Sequence, residues 1–353
     1  MNEAVGPERP VRVGLLGAGA VAQVAHLPAY PRLRDVQLVA LCDSDSTKLR
    51  ALSSRFPVAH AVRSIDELLA IDEVDAVDVC LPSHLHHEAV LRCLEAGKHV
   101  LCEKPLAMTE DEVVEIIAAR ERAGKVLLVG MNQRYREDSI RLKECVEQGA
   151  VGAPFYARAS WLKRRDGIRP ADWQYRSDTA GGGVMMDLGI HVLDLALWLC
   201  DYPEPESVSA SFWRHRPDLE VEDTAVATVR CAGGVRVVVD ASWQPLVAED
   251  EEYSVDLFGQ DGTGRLRSGR QKGPAFRVYR RLHGSLVDVT PETGQRPGNV
   301  YMESFVREIA YFAQVVSGRE EAPPLDEQRA LIRTLTAIRR AAETGRDVDL
   351  ASE

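Results

Sequence analysis

The stretch Val11-Arg12-Val13-Gly14-Leu15-Leu16-Gly17-Ala18-Gly19-Ala20-Val21-Ala22 leaves this chain few ways to begin folding. An apolar run of strand character meets two glycines and then small residues suited to a helix start. This is the pattern of the first strand, turn and helix of a dinucleotide-binding βαβ unit. Gly17 permits a sharp turn, Gly19 lets the backbone approach a pyrophosphate with no Cβ between them, and Ala22 is small where helix and strand pack. A helix opening near Ala20 turns its N–H groups and positive dipole end toward phosphates, which makes Ala18, Ala20 and Val21 candidate cofactor contacts beside the glycines. Ordinary tight turns also match so short a motif, so its surroundings decide.

A second strand pattern, Val36 to Cys42, ends in Asp43. It lies a little over ~20 residues past the glycines, where an acid can accept the ribose hydroxyls of an adenosine. A carboxylate there repels a 2′-phosphate, and neither Ser44 nor Asp45 supplies an arginine to receive one, so NAD is expected over NADP. Asp43 also has the chemistry of an N-cap for the following helix.

From Val11 to about Gly130, strand and helix patterns alternate, as in a parallel sheet with helices on both faces. Ser64 with Glu67 and Thr109 with Glu112 fit capping boxes. Such sheets bind ligands beyond the carboxyl ends of their strands. The segments Gly17 to Gly19, Asp43, Leu81 to His87, Glu103 to Pro105 and the residues after Val129 are therefore expected in one crevice, with Pro82, Ser83 and His86 among them.

At 353 residues the chain is long for one core. The pattern changes near Gly130, which predicts a first domain over 10–130 and a second over 131–350. The net charge of -11 disfavours nucleic acid or an anionic membrane as partner. Seven scattered cysteines without a C-x-x-C pair read as buried thiols of a reducing compartment, and the first ten residues read as a short flexible tail rather than a signal peptide. No run reaches the ~18 consecutive apolar residues of a spanning helix, so a cytoplasmic protein is expected.

After a helix near Glu137 to Gln148 and a strand over Phe155 to Leu162, a polar loop from Lys163 to Ala180 leads into Gly181-Gly182-Gly183. Successive strand patterns follow (Val208 to Trp213, Ala225 to Cys231, Val235 to Trp243, Tyr253 to Phe258), with a turn at Ala232-Gly233-Gly234 and two terminal helices, Tyr301 to Ser317 and Leu325 to Thr344. Strands without helices between them predict an antiparallel sheet.

Two places could carry chemistry. In Asp187-Leu188-Gly189-Ile190-His191-Val192-Leu193-Asp194, helical spacing sets Asp187, His191 and Asp194 along one polar edge. Satisfied core polar groups would look the same, but Gly189 costs about 1 kcal/mol in a helix interior and signals a close approach. Lys104, between Glu103 and Pro105 at a strand end, sits where a partly desolvated amine can do acid–base work. His84, His86 and His87 lack companions for a metal site, and none is expected. The run Lys163-Arg164-Arg165 could meet phosphates or simply be solvated.

Taken together, the Gly17 turn, Glu103-Lys104-Pro105 and the glycine-led Asp187-x-Gly189-x-His191-x-x-Asp194 helix closely resemble the glucose–fructose oxidoreductase and inositol dehydrogenase (Gfo/Idh/MocA) family, over nearly the whole chain. The resemblance implies a Rossmann parallel sheet followed by an open-faced, mainly antiparallel sheet domain with helices. It implies hydride transfer between NAD and a secondary alcohol or ketone carbon of a sugar, inositol or related cyclic polyol. Lys104, Asp187 and His191 take the places of the catalytic set. Pro82 to His86 resembles the cofactor loop, with Ser83 where asparagine is common. Arg134 falls among cofactor contacts, and Tyr135, Trp173 and Arg176 among substrate contacts. A homodimer or homotetramer packed sheet to sheet is also implied. The resemblance leaves open a ketoreductase of nucleotide-linked deoxysugar or aminoglycoside assembly, and an NAD-dependent glycosidase using transient oxidation.

Overall fold

The structure is a computed structural model that describes residues 9–244, 251–268, 275–291 and 300–350. The tail expected at the N-terminus lies almost wholly outside the described residues. The strands β1 (Val11–Leu16), β2 (Val36–Cys42), β3 (His60–Val62), β4 (Ala76–Val79), β5 (His99–Glu103) and β6 (Leu127–Gly130) form one sheet, ordered β3-β2-β1-β4-β5-β6 and parallel throughout. β4 and β6 are buried at every residue, because a parallel sheet is covered on both faces and its strands can be apolar runs. The strand order reverses at β1 and β4, the switch point beyond which such sheets bind ligands.

Local chemistry sets the helix starts. Thr109 and Glu112 complete a reciprocal capping box, and Ser64 accepts the Glu67 N–H at 3.3 Å. The helix after β2 is capped not by Asp43 but by Asp45, which accepts the N–H groups of Thr47 and Lys48 at 2.9 and 3.0 Å.

The chain divides into two units. The first runs to Asn132 and takes back the stretch through Leu325, which holds the helix Val300–Val316; the second has the remainder. Chain order alone put that helix in the span 131–350. Its apolar side decides otherwise, since Ile309, Phe312 and Ala313 share a buried cluster with Val13, Leu15, Leu41 and Leu101.

The second unit is built on the strands β7 (Pro154–Lys163), β8 (Pro205–Trp213), β9 (Thr224–Cys231), β10 (Arg236–Ser242), β11 (Glu251–Gly259), β12 (Gly262–Ser268), β13 (Phe276–Leu282), β14 (Ser285–Asp288) and β15 (Val348–Asp349), ordered β14-β13-β12-β11-β7-β10-β9-β8-β15. The β9–β10 hairpin turns at Gly233 and Gly234, both at positive φ. All pairings are antiparallel except β7 with β10; after β7 the chain passes through a helix, re-enters the sheet at β8 and reaches β10 by way of β9. That helix, Ile190–Leu199, packs on β7, β10 and β11. By length and composition the stretch Ser177–Leu199 could cross a membrane, but 78% of its most apolar window is buried inside the protein, as for a core helix.

Candidate functional site

In the first unit the glycine turn behaves as its residues require. Gly17 sits at φ +94, and a Cβ there would lie 2.8 Å from the Cys80 carbonyl oxygen, so no other residue fits. Gly19 differs: a Cβ would have only the Cys80 oxygen near, at 3.8 Å. The protein itself makes no use of that space, which is what a closely approaching phosphate group needs. A helical turn begins at once at Ala20, which is exposed, while Ala18 and Ala22 are fully buried.

Asp43 stands at the end of β2 and ties the turn to the sheet. Its carboxylate accepts the N–H of Ala18 at 2.8 Å and of Asp45 at 2.9 Å, and pairs with Lys48 Nζ at 3.1 Å. Lys48 stands one helical turn past Asp43, not at the adjacent Ser44 or Asp45, so nothing in the local pattern marks it.

Past β4, Ser83 is buried at the start of a short 3-10 turn, Ser83–Leu85, after half-buried Leu81 and Pro82. His86 is buried with Nδ1 2.6 Å from the Pro105 carbonyl oxygen and Nε2 2.8 Å from that of Leu81. It is a strut joining the loop after β4 to the corner after β5, and both its ring nitrogens are engaged on backbone. His87 pairs with Glu115 at 2.9 Å and His84 is exposed, so the three histidines do not converge. Lys104 is half-buried directly after β5, its backbone N–H donating to its neighbour Glu103 at 3.2 Å.

In the second unit, the polar edge expected of Asp187, His191 and Asp194 is divided. Met185–Gly189 forms a wider π-type turn before the α-helix, so the three do not follow α-helical spacing. The approach signalled by Gly189 comes from within this turn: a Cβ there would meet the Met185 sulfur at 2.3 Å. Asp187 pairs with Arg165 Nη2 at 2.8 Å and accepts the indole N–H of Trp243 at 3.1 Å. Arg165 also donates to the Tyr175 hydroxyl at 3.1 Å and lies over the Trp243 ring. His191 is buried, with its ring 5.5 Å from that of Trp161. Arg165, Trp161 and Trp243 are site neighbours that the sequence reading missed. Arg165 was legible only as part of a charge run, and the two tryptophans only as strand residues.

Asp194 faces the interior. Arg134 grips it through Nε at 2.7 Å and Nη2 at 2.5 Å, and reaches Glu327 through Nη1 at 2.6 Å. Arg134, expected at the cofactor, is buried in the second unit with its guanidinium engaged by these two carboxylates. Tyr135 beside it is half-buried. Trp173 is partly exposed in the short turn Trp173–Tyr175, and Arg176 pairs at the surface with Asp178 at 2.9 Å; neither joins the Asp187 group, whereas Tyr175 does.

The start of the Asp187 turn is fastened by Glu222. Its buried carboxylate accepts the N–H groups of Gly183 and Met185 at 2.9 and 3.1 Å, and its carbonyl accepts that of Val184 at 3.0 Å. A Cβ on Gly183 would lie 2.0 Å from this carbonyl, which explains one member of the glycine run.

Residues 11–131 match the model of the oxidoreductase family with an NAD-binding Rossmann fold, and residues 140–265 match the GFO/IDH/MocA C-terminal domain. The D-glucoside 3-dehydrogenase of Escherichia coli is 30% identical over 97% of this chain and 98% of its own length. The chain belongs to the Gfo/Idh/MocA oxidoreductase family. Another relative, the myo-inositol 2-dehydrogenase of Thermotoga maritima, is 28% identical over 96% of this chain and 98% of its own. Among solved structures, GenD2 from gentamicin A biosynthesis, in complex with NAD, superposes with a TM-score of 0.81 at 26% identity, covering 99% of both chains.

As a Gfo/Idh/MocA oxidoreductase the protein uses NAD, and the first unit fits it: the room at Gly19, the helix start at Ala20 and the acid at the end of β2 are the parts a dinucleotide needs. Bound there, the nicotinamide supplies a hydride acceptor or donor. Asp43 also faces Lys48, the cation nearest to where a 2′-phosphate would be received. NAD(H) is expected to bind more tightly than NADP(H). Asp43→Ala frees Lys48 for a 2′-phosphate and narrows the gap by about 10–100-fold, the worth of one or two hydrogen bonds to a charged group. Fluorescence titration with both cofactors checks this, and an unaltered protein that prefers NADP(H) contradicts it.

Proposed function

We propose that this chain is an NAD-dependent dehydrogenase that oxidises a secondary hydroxyl of a sugar, inositol or related cyclic polyol, or reduces the matching ketone. The observation that carries the reading is Lys104, a half-buried amine at the carboxyl end of β5 in the unit that holds the NAD turn. When a secondary alcohol gives up a hydride its hydroxyl proton must also leave, so a base has to reach that oxygen. Lys104 and His191 are the residues we assign to proton transfer, and Asp187, paired with Arg165 and bonded by the Trp243 indole N–H, is the third member of the set.

Charge pairing favours an uncharged substrate over a nucleotide-linked one. Each member of the cationic run meets an acid: Lys163 with Glu251 at 3.4 Å, Arg164 with Asp166 at 3.2 Å, Arg165 with Asp187 at 2.8 Å. A pyrophosphate-bearing sugar would have to displace these partners. A panel of free sugars, glycosides, inositols and nucleotide-linked sugars, followed by absorbance of reduced cofactor, tests the reading. Stoichiometric NADH from free polyols or glycosides is expected; glycoside cleavage without net NADH, or turnover of nucleotide-linked ketones alone, contradicts it.

We also place the protein in the cytoplasm, where its seven buried free thiols suit a reducing compartment, and as a homo-oligomer. One face of the second sheet, with Ala157, Ala159, Val237 and Val239, is buried. The other carries Leu162, Val226 and Val238 half-buried, Trp213 exposed, and a stacked pair of Tyr156 and Phe258. A mixed apolar face of that breadth is suited to a second copy. Light scattering at micromolar concentration is expected to give a dimer or tetramer mass, and a strictly monomeric mass contradicts the proposal.

A further inference from the structure

We propose that His26, held between Asp78 and Glu103 beneath the first sheet's binding edge, is a positioning residue for Lys104. The inference rests on the reading of Lys104 as a residue of the reaction.

His26 is fully buried. Its Nδ1 lies 2.8 Å from Asp78 Oδ2 and its Nε2 lies 2.9 Å from Glu103 Oε1. With Asp78 and Glu103 as carboxylates, which only accept hydrogen bonds, both ring nitrogens donate and the ring is an imidazolium. Burial disfavours the charged ring, yet the Asp78 carboxylate and Cys80 outweigh it, and His26 titrates well above an ordinary histidine. The surroundings hold Asp78 in place: Tyr30 donates to the same oxygen at 2.7 Å, and the Cys80 thiol donates to the other at 3.6 Å. The mutual closeness of His26, Asp78 and Cys80, within 4.8 Å, follows from these hydrogen bonds and calls for no metal. Glu308, also fully buried, has no hydrogen-bond partner on either carboxyl oxygen among the described residues. Burial and then the charge of Glu103 hold its pKa well above the carboxylate range, and the hydrogen bonds of His26 go to Asp78 and Glu103.

The direction of this clamp gives it a function. Glu103 is the residue before Lys104, and its second oxygen accepts the Lys104 backbone N–H. One carboxylate therefore runs from the buried imidazolium to the main chain of the lysine. A Cβ on Gly130 would come within 3.3 Å of Glu103, so the strand beside it leaves the carboxylate little room to shift. On the far side, His86 pins the Pro105 carbonyl. A buried ion cluster is a poor route to stability, since well-packed apolar residues of similar volume often do as well or better. Its use here is to hold the residue on which Lys104 is mounted.

The test is a double-mutant cycle between His26→Phe and Lys104→Ala, reading kcat, substrate KM, NAD affinity and melting temperature on purified folded protein. His26→Phe alone is expected to lower kcat by about 10–10²-fold, the scale of an ångström's misplacement, with NAD affinity nearly unchanged. It should have little further effect in the Lys104→Ala background. His26→Gln, whose amide can still donate to Glu103, should recover most of the rate and serves if the Phe variant does not fold. A lowered melting temperature with unchanged kcat, or losses that simply multiply in the double variant, overturns the inference. Lys104→Ala with undiminished kcat instead overturns the reading of Lys104. Independently of activity, 15N spectra of histidine-labelled protein should show both His26 ring nitrogens protonated at pH 8, and a neutral tautomer there overturns the clamp.

Discussion

Lys104→Ala and His191→Ala are each expected to lower turnover by about 10²–10⁴-fold, the usual worth of positioned acid–base help, while NAD affinity stays nearly constant. The two positions are built differently. Lys104 is half-buried at a strand end and its truncation empties no core, so its melting temperature should hardly move. His191 is buried against Trp161, so its truncation leaves a small void and should also cost some stability. That difference makes the comparison informative. If His191 is only a core side chain, His191→Ala lowers the melting temperature and spares the kcat of the surviving folded enzyme. Equal rate losses in both variants would mark both as proton carriers. A pH–rate profile of each then shows which one removes a titration limb. Asp187→Asn should fall in the same class, because it releases Arg165 and Trp243 from the carboxylate that both contact.

Arg134→Met is expected to cost about 3–5 kcal/mol of stability, because it strands Asp194, which is 1% exposed, and unpairs Glu327. For a unit of this size that corresponds to a fall in melting temperature of roughly 10 °C. The penalty comes mainly from the carboxylate left behind, so pairing the change with Asp194→Leu should restore much of the loss. The outcome also decides between two roles. Were Arg134 a cofactor contact, as the family resemblance implies, Arg134→Met would weaken NAD binding with little change in melting. With its guanidinium shared between Asp194 and Glu327 and stacked over Tyr202, the first outcome is expected. Calorimetry and NAD titration on the same preparation separate them.

Much of the architecture was legible because it is written in short-range spacing. Gly17 requires its turn, Thr109 and Glu112 their capping box, and Gly233 with Gly234 their hairpin, each within a few residues of its partner. The alternating strands of the second sheet were legible for the same reason; β12 and β13 were missed because arginines break up their apolar pattern, and β14 because it has only four residues. One clue was present and unread: Asp78 is a charge in the middle of an apolar parallel strand, where a residue is buried on both faces and must find a partner.

The sequence by itself determined the Rossmann start, the NAD turn and the candidates Lys104, Asp187 and His191, since each depends on residues adjacent in the chain. Tertiary structure alone decided which charges answer one another. Asp43 meets Ala18 across 25 positions, His26 meets Glu103 across 77, and Arg134 meets Glu327 across 193. Such pairings have no period and no fixed offset. They arise when sheet and helix packing excludes water and leaves a buried charge no partner but the one the fold brings to it.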